Sequence, residues 1–183
     1  MSEALIVRHC SPTLAGLKTA NMFNYHYEDK DELKESIRTV NIILAGKGVR
    51  MIPLRAANGT ALIYVYRPKK LESDLRGRAS SEILSSCGYG SGSAPRLITE
   101  LIKRLDASND FPHEIGLFLG YPPEDVRCFI CDRNRACKCV GCWRAYNNEE
   151  EAEKTFARFK KCTSVYCEKL REGYSLSRLT VKV

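Results

Sequence analysis

No stretch of this 183-residue sequence is long and apolar enough to span a bilayer. The longest apolar runs, such as Ala61-Leu62-Ile63-Tyr64-Val65-Tyr66, fall far short of the about 18 residues needed. The start of the chain lacks a basic region, and its apolar run covers only residues 4–7, so no secretory signal is read there and a cytoplasmic location is expected. With 12 glycines and 7 prolines the composition excludes collagen-like and low-complexity chains. A hydrophobic content of 44% excludes a disordered one. Neither major phosphate-binding fingerprint is present, since no Gly-Lys-Ser/Thr occurs and Gly88, Gly90 and Gly92 alternate instead of following G-x-G-x-x-G. No nucleic-acid-binding motif is recognised.

Two excesses remain. Lys+Arg number 29 against 22 Asp+Glu, a formal charge of +7, and there are nine cysteines. An odd cysteine count, in a chain large enough to be held by its core, points to reduced thiols and not to a disulfide framework. Seven of the nine lie between Cys128 and Cys167.

The pattern predicts one α+β domain over residues 1–183, helix-rich, with a small mixed sheet that includes one antiparallel hairpin. Residues 4–8 read as a short buried strand, with Ser11 as N-cap and Pro12 as the first position of a helix running to about Met22. Leu33, Ile37, Val40 and Leu44 recur at three- and four-residue spacing before Gly46, which marks an amphipathic helix. Residues 49–56 and 60–67 flank Asn58-Gly59, the pair suited to a tight hairpin turn. Further helices are expected over residues 80–87, 95–105, between Pro112 and Gly120, from Pro122, and over residues 149–172. Residues 139–146 read as a last strand, and residues 176–183 are left unassigned.

Three segments resemble a known family: His9-Cys10-Ser11-Pro12-Thr13-Leu14-Ala15-Gly16-Leu17-Lys18, then Phe111-Pro112-His113-Glu114-Ile115-Gly116-Leu117-Phe118-Leu119-Gly120-Tyr121-Pro122-Pro123-Glu124-Asp125-Val126, and Lys161-Cys162-Thr163 with Tyr166-Cys167. The sequence is similar to bacterial proteins, found largely in anaerobes, grouped as a domain of unknown function. The resemblance runs from near residue 4 to residue 170. It implies a small cytoplasmic protein, and it brings no activity, cofactor or catalytic residue with it.

Four places could carry chemistry. Cys10, read at a strand-to-helix junction, would meet the positive end of a helix, with Arg8 and Lys18 as neighbouring cations that favour a thiolate nucleophile and Arg67 near it to bind a ligand; a buried structural thiol is the alternative. The glycines Gly88, Gly90 and Gly92 ahead of a helix could present N–H groups to a phosphate, or form a mobile loop. His113 could act as an acid or base beside Glu114, or cap a helix. The run Cys128-x2-Cys131-x5-Cys137-x-Cys139-x2-Cys142 contains two close pairs, Cys128/Cys131 and Cys139/Cys142, able in principle to hold zinc or an iron–sulfur cluster, with packing thiols as the alternative.

Basic charge concentrates in the same stretch: Arg127, Arg133, Arg135, Lys138 and Arg144 face only Asp132. With Trp143 as a stacking ring this segment could grip nucleic acid, or it could dock an acidic protein such as an electron carrier. The leading expectation is a thiol-dependent protein, redox or ligand-binding, centred on Cys10. The alternative is a non-catalytic metal- or nucleic-acid-binding module, or a docking partner of an acidic electron-transfer protein, built on residues 127–144.

Overall fold

Ile6, Val7, Cys10 and Leu14 fall on one face of a helix, and in the computed structural model they do: α1 spans Glu3–Leu14. Ser2 caps it, its side chain accepting from the Leu5 N–H at 3.3 Å. The expected strand at residues 4–8 is therefore a helix, because a four-residue apolar run satisfies either period and the cap at Ser2 decides for the helix. Pro12 lies inside α1, where the Ser11 hydroxyl donates to the Val7 carbonyl. The predicted helix to Met22 instead ends at Leu14, and the chain turns into a strand, β1, Ala20–His26.

The structure describes residues 1–107 and 110–182. These divide into two compact units, one comprising Met1–Lys69 and Phe159–Val183, the other Lys70–Arg158. The first unit continues with α2, Lys30–Ala45, capped by Asp29, and with the hairpin β2, Arg50–Ala57, and β3, Thr60–Tyr66. The sheet order is β1-β3-β2 and every pairing is antiparallel, with Ala20 opposite Tyr66 and Arg50 opposite the same residue from the other side. The sheet is thus antiparallel, not mixed, and its third strand is β1, not residues 4–8. Asn58 and Gly59 both take positive φ, 51° and 71°, as the two-residue turn requires.

One face of the sheet and the helices enclose a core of Ile6, Val7, Cys10, Leu14, Phe23, Leu33, Leu44, Met51, Ile63 and Val65, closed by Leu176 and Leu179. The latter pair belongs to α9, Leu176–Leu179, a short helix within the segment left unassigned from sequence. β2 is an edge strand, and Asn41 of α2 covers part of that edge: its amide donates to the Met51 carbonyl and accepts from the Met51 N–H, both at 2.8 Å.

The second unit is mostly helical. It holds α3, Pro68–Arg76, from its third residue on, then α4, Arg78–Ser86; α5, Ala94–Ala107; α6, Ile115–Phe118; and α7, Pro123–Cys131. Residues 139–146 form a separate small hairpin, β4, Cys139–Val140, with β5, Arg144–Ala145, and do not join the main sheet. The long helix α8, Glu149–Arg171, begins in the second unit and ends in the first. Leu75, Leu84, Leu97, Leu101, Leu105, Leu117 and Phe118 are buried in this unit. No helix among the described residues is long and apolar enough to cross a membrane.

Candidate functional site

Cys10 sits in the third turn of α1, not at a strand-to-helix junction, and is fully buried in the core of the first unit. Burial pushes its thiol far above the ordinary range; nearby Lys18 acts the other way, but more weakly. A thiolate is the form that attacks and ligates, so this environment opposes the chemistry expected of Cys10. Lys18 is itself buried.

Arg67 does come to the C-terminal end of α1, yet its guanidinium is committed to the backbone. Nε donates to Thr13 O at 2.7 Å, Nη1 to Lys47 O at 3.3 Å, and Nη2 to Leu14 O at 2.8 Å and Val181 O at 2.7 Å. Four of its five N–H groups are thus spent on carbonyls, where a cation also complements the negative end of a helix. The expected ligand-binding role of Arg67 gives way to that of a clamp joining α1, the turn after α2 and the C-terminal tail.

The glycine-rich loop belongs to the second unit and is strapped down. Gly88 N–H donates to Ser85 O and Tyr89 N–H to Leu84 O, both at 2.9 Å. The Tyr89 hydroxyl donates to Glu114 Oε1 at 3.1 Å, and the Arg104 guanidinium lies 4.0 Å from the Tyr89 ring centroid. Burial and then the Glu114 carboxylate push the Tyr89 hydroxyl up, which keeps it a donor. The next amide, Gly90 N–H, is taken by Glu100 Oε2 at 3.3 Å. Beside the loop lies a cleft of about 300 Å³, walled by Arg76, Ser81, Ser85 and Ser91 over a floor of Leu75, Leu84 and Leu97.

His113 stands elsewhere in this unit, with its ring edge-on to Phe129 at 5.0 Å between centroids. Burial and then Arg133 hold its pKa below 6.5. Its neighbour Glu114 is engaged with Tyr89, so the two do not form the expected acid/base pair.

The basic segment is mounted on one buried carboxylate. Asp125, in the first turn of α7, accepts from Tyr146 N–H at 2.9 Å, Asn147 N–H at 3.2 Å and the Asn147 amide at 2.9 Å through Oδ1, and from Trp143 Nε1 at 2.9 Å through Oδ2. Trp143 packs between Tyr121 and Phe156, with centroids at 5.2 and 4.5 Å. Gly141 makes room for this: a Cβ there would fall 2.3 Å from the Phe156 ring. The tryptophan expected to stack on bases is therefore a structural anchor.

The cysteines are spread over this scaffold. Cys128 and Cys131 lie on α7, which stays helical through Cys131 where a metal knuckle would need a turn, Cys139 is on β4, and Cys142 is exposed between β4 and β5. Removal from water, then Glu153 and Glu149, push the Cys139 thiol up. Among the described residues no three His, Cys, Asp or Glu side chains are placed to hold a metal ion. Cys128, Cys131, Cys139 and Cys142, expected to hold zinc or an iron–sulfur cluster, are thus not gathered into one ligand set among the described residues.

The cations are outward. Arg127, Arg133, Arg135, Lys138 and Arg144 are all exposed, and among the described residues only Arg127 pairs with a carboxylate, Glu82 at 3.5 Å. Arg144 donates to Arg133 O and Lys138 to Asn147 O, which fixes their stems without neutralising them. Val140, at the end of β4 between Lys138 and Arg144, is 70% exposed.

The family model described as protein of unknown function (DUF3793) matches residues 6–180. The chain belongs to this family. Neither a curated protein nor a solved structure matches it. In this DUF3793 chain, then, Cys10, Lys18 and Arg67 lie in the first unit, with Arg67 at the C-terminal end of α1, while the glycine-rich loop, His113 and the basic segment lie in the second. Sequence reading missed Asp125 and the Tyr89, Arg104, Glu114 group. The first had a signal in the sequence: an aspartate in the first turn of a helix just before the only tryptophan-bearing loop. The second had none, because its members are scattered along the chain and no spacing rule joins them.

Proposed function

We propose that this DUF3793 protein is a non-catalytic docking module whose basic segment, residues 127–144, engages an acidic protein surface. The observation that carries the reading is an exposed aliphatic side chain, Val140, flanked by the exposed cations Lys138 and, across the strand pair, Arg144, on a hairpin held by Asp125. An apolar anchor flanked by cations suits a protein partner, since a desolvated anchor supplies affinity and the cations steer encounter and set register. Nucleic acid is less well served, because Trp143 has its face and its N–H occupied.

The test places a photo-crosslinking amino acid at Val140 in cells that make the protein. The expected result is one predominant adduct whose crosslinked peptide is rich in Asp and Glu, lost when Arg133→Glu and Arg135→Glu are combined. No adduct, an adduct with nucleic acid, or one that survives the charge reversal overturns the proposal.

A further inference from the structure

The cleft beside the glycine-rich loop is separate from the basic segment and needs its own explanation. Ser81 and Ser85 are four residues apart on α4 and so project from one face. Ser91 supplies a third hydroxyl from the loop, and Leu75, Leu84 and Leu97 form an apolar floor. The loop is preorganised by the Tyr89 and Gly90 contacts, yet the N–H groups of Ser91, Gly92 and Ser93 meet no protein acceptor among the described residues.

Two guanidinium groups border these donors. Arg96 lays its stem along the loop: a Cβ on Gly92 would sit 2.7 Å from Arg96 Cδ, and one on Gly90 would sit 3.6 Å from Arg96 Nη2. No ion pair engages Arg96 among the described residues. Arg76 stands on the cleft wall, paired with Glu72 at 2.8 Å. Glu72 also accepts the Ala94 N–H at the start of α5, so the helix terminus is already occupied and the available donors are those of the loop.

The Ser91 and Gly92 amides and three hydroxyls line this apolar-floored cleft, with the Ser93 amide and the Arg96 guanidinium, which has no ion pair among the described residues, adjoining it, a set complementary to a compact anion with an apolar body. At about 300 Å³ the space is at the small end of ligand sites. We infer that this cleft binds a phosphate monoester of a small, largely apolar alcohol, the phosphate resting on residues 91–93 and Arg96 and the organic part on the three leucines.

The experiment is a titration of the isotope-labelled full chain with phenyl phosphate, followed by amide chemical shifts, with inorganic phosphate and phenol as controls. Saturable shifts are expected at Ser91, Gly92 and Ser93, with affinity roughly tenfold above that for inorganic phosphate, which lacks the apolar body. Arg96→Gln, an exposed substitution that leaves the rest of the amide pattern in place, is expected to weaken binding roughly tenfold through the lost charge-assisted contact. Arg133→Glu with Arg135→Glu should leave it unchanged. The inference is overturned by absence of saturable shifts in the loop, by an Arg96→Gln affinity equal to that of the parent, by phenol binding as tightly as phenyl phosphate, or by loss of binding with the basic-segment variant.

Discussion

Asp125 accepts four hydrogen bonds while only 5% exposed, so truncating it strands one buried donor, the Tyr146 N–H, and three partly buried ones. Asp125→Ala is expected to cost about 2–4 kcal/mol in urea unfolding. Trp143 is the only tryptophan, so its emission should shift to the red in the same variant and report loss of the anchor directly. At Cys10 the opposite kind of burial makes a kinetic prediction. Alkylation mapped by mass spectrometry should label exposed Cys131 and Cys142 rapidly, while Cys10 reacts only at the rate of unfolding. Rapid labelling of Cys10 in the native state would restore it as a nucleophile. His113 makes a third prediction: burial, then Arg133, hold its folded pKa below 6.5, near which the unfolded residue titrates. As pH falls below 6.5 the unfolded chain takes up a proton that the folded chain refuses, so this residue contributes a loss of stability on acidification and none above that range. Melting curves between about pH 7 and pH 5 should therefore fall less steeply for His113→Gln than for the parent.

At the scale of elements, the hairpin shows what local sequence can do. Asn58 and Gly59 hold φ of 51° and 71°, conformations that cost most other residues energy. A Cβ at Gly59 would approach Tyr27 O only to 3.4 Å, so the penalty for Gly59→Ala is conformational and not steric. It is expected to be about 1 kcal/mol, read as a lowered melting temperature with the fold retained. α2 was equally legible, since Leu33, Val40 and Leu44 are the buried positions that its periodicity marks. α1 and β1 were not. The apolar run at residues 4–7 is too short to tell the periods apart, and β1, with the burial order of its seven residues irregular, shows no clean alternation. β1 is a strand because β3 offers it a partner along its whole length, from Ala20 opposite Tyr66 to His26 opposite Thr60.

Across the whole molecule the charge is divided unevenly. The unit of Met1–Lys69 and Phe159–Val183 holds 16 Lys+Arg against 8 Asp+Glu, whereas Lys70–Arg158 holds 13 against 14. The basic segment is thus a local patch on a unit without net positive charge. If docking depends on that patch, Arg133→Glu with Arg135→Glu should abolish the Val140 adduct, while Lys30→Glu with Lys34→Glu, an equal change of net charge in the other unit, should not. Equal effects of the two variants would show that net charge alone governs association.

The sequence by itself determined the elements whose causes lie within a few residues: the helix of Leu33, Val40 and Leu44, the Asn58-Gly59 hairpin, the proline-opened α7, and the exposed basic run from Arg127 to Arg144. Each follows from a period, a cap or a turn conformation that neighbours dictate. Only the tertiary structure decided what the side chains do. Arg67 binds carbonyls 54 and 114 residues away, Asp125 collects donors up to 22 residues on, and Cys10 is buried in a core assembled from both ends of the chain. Burial and hydrogen-bond partnership are set by contacts between distant segments, and those two quantities decide whether a thiol, a guanidinium or an indole is free to act.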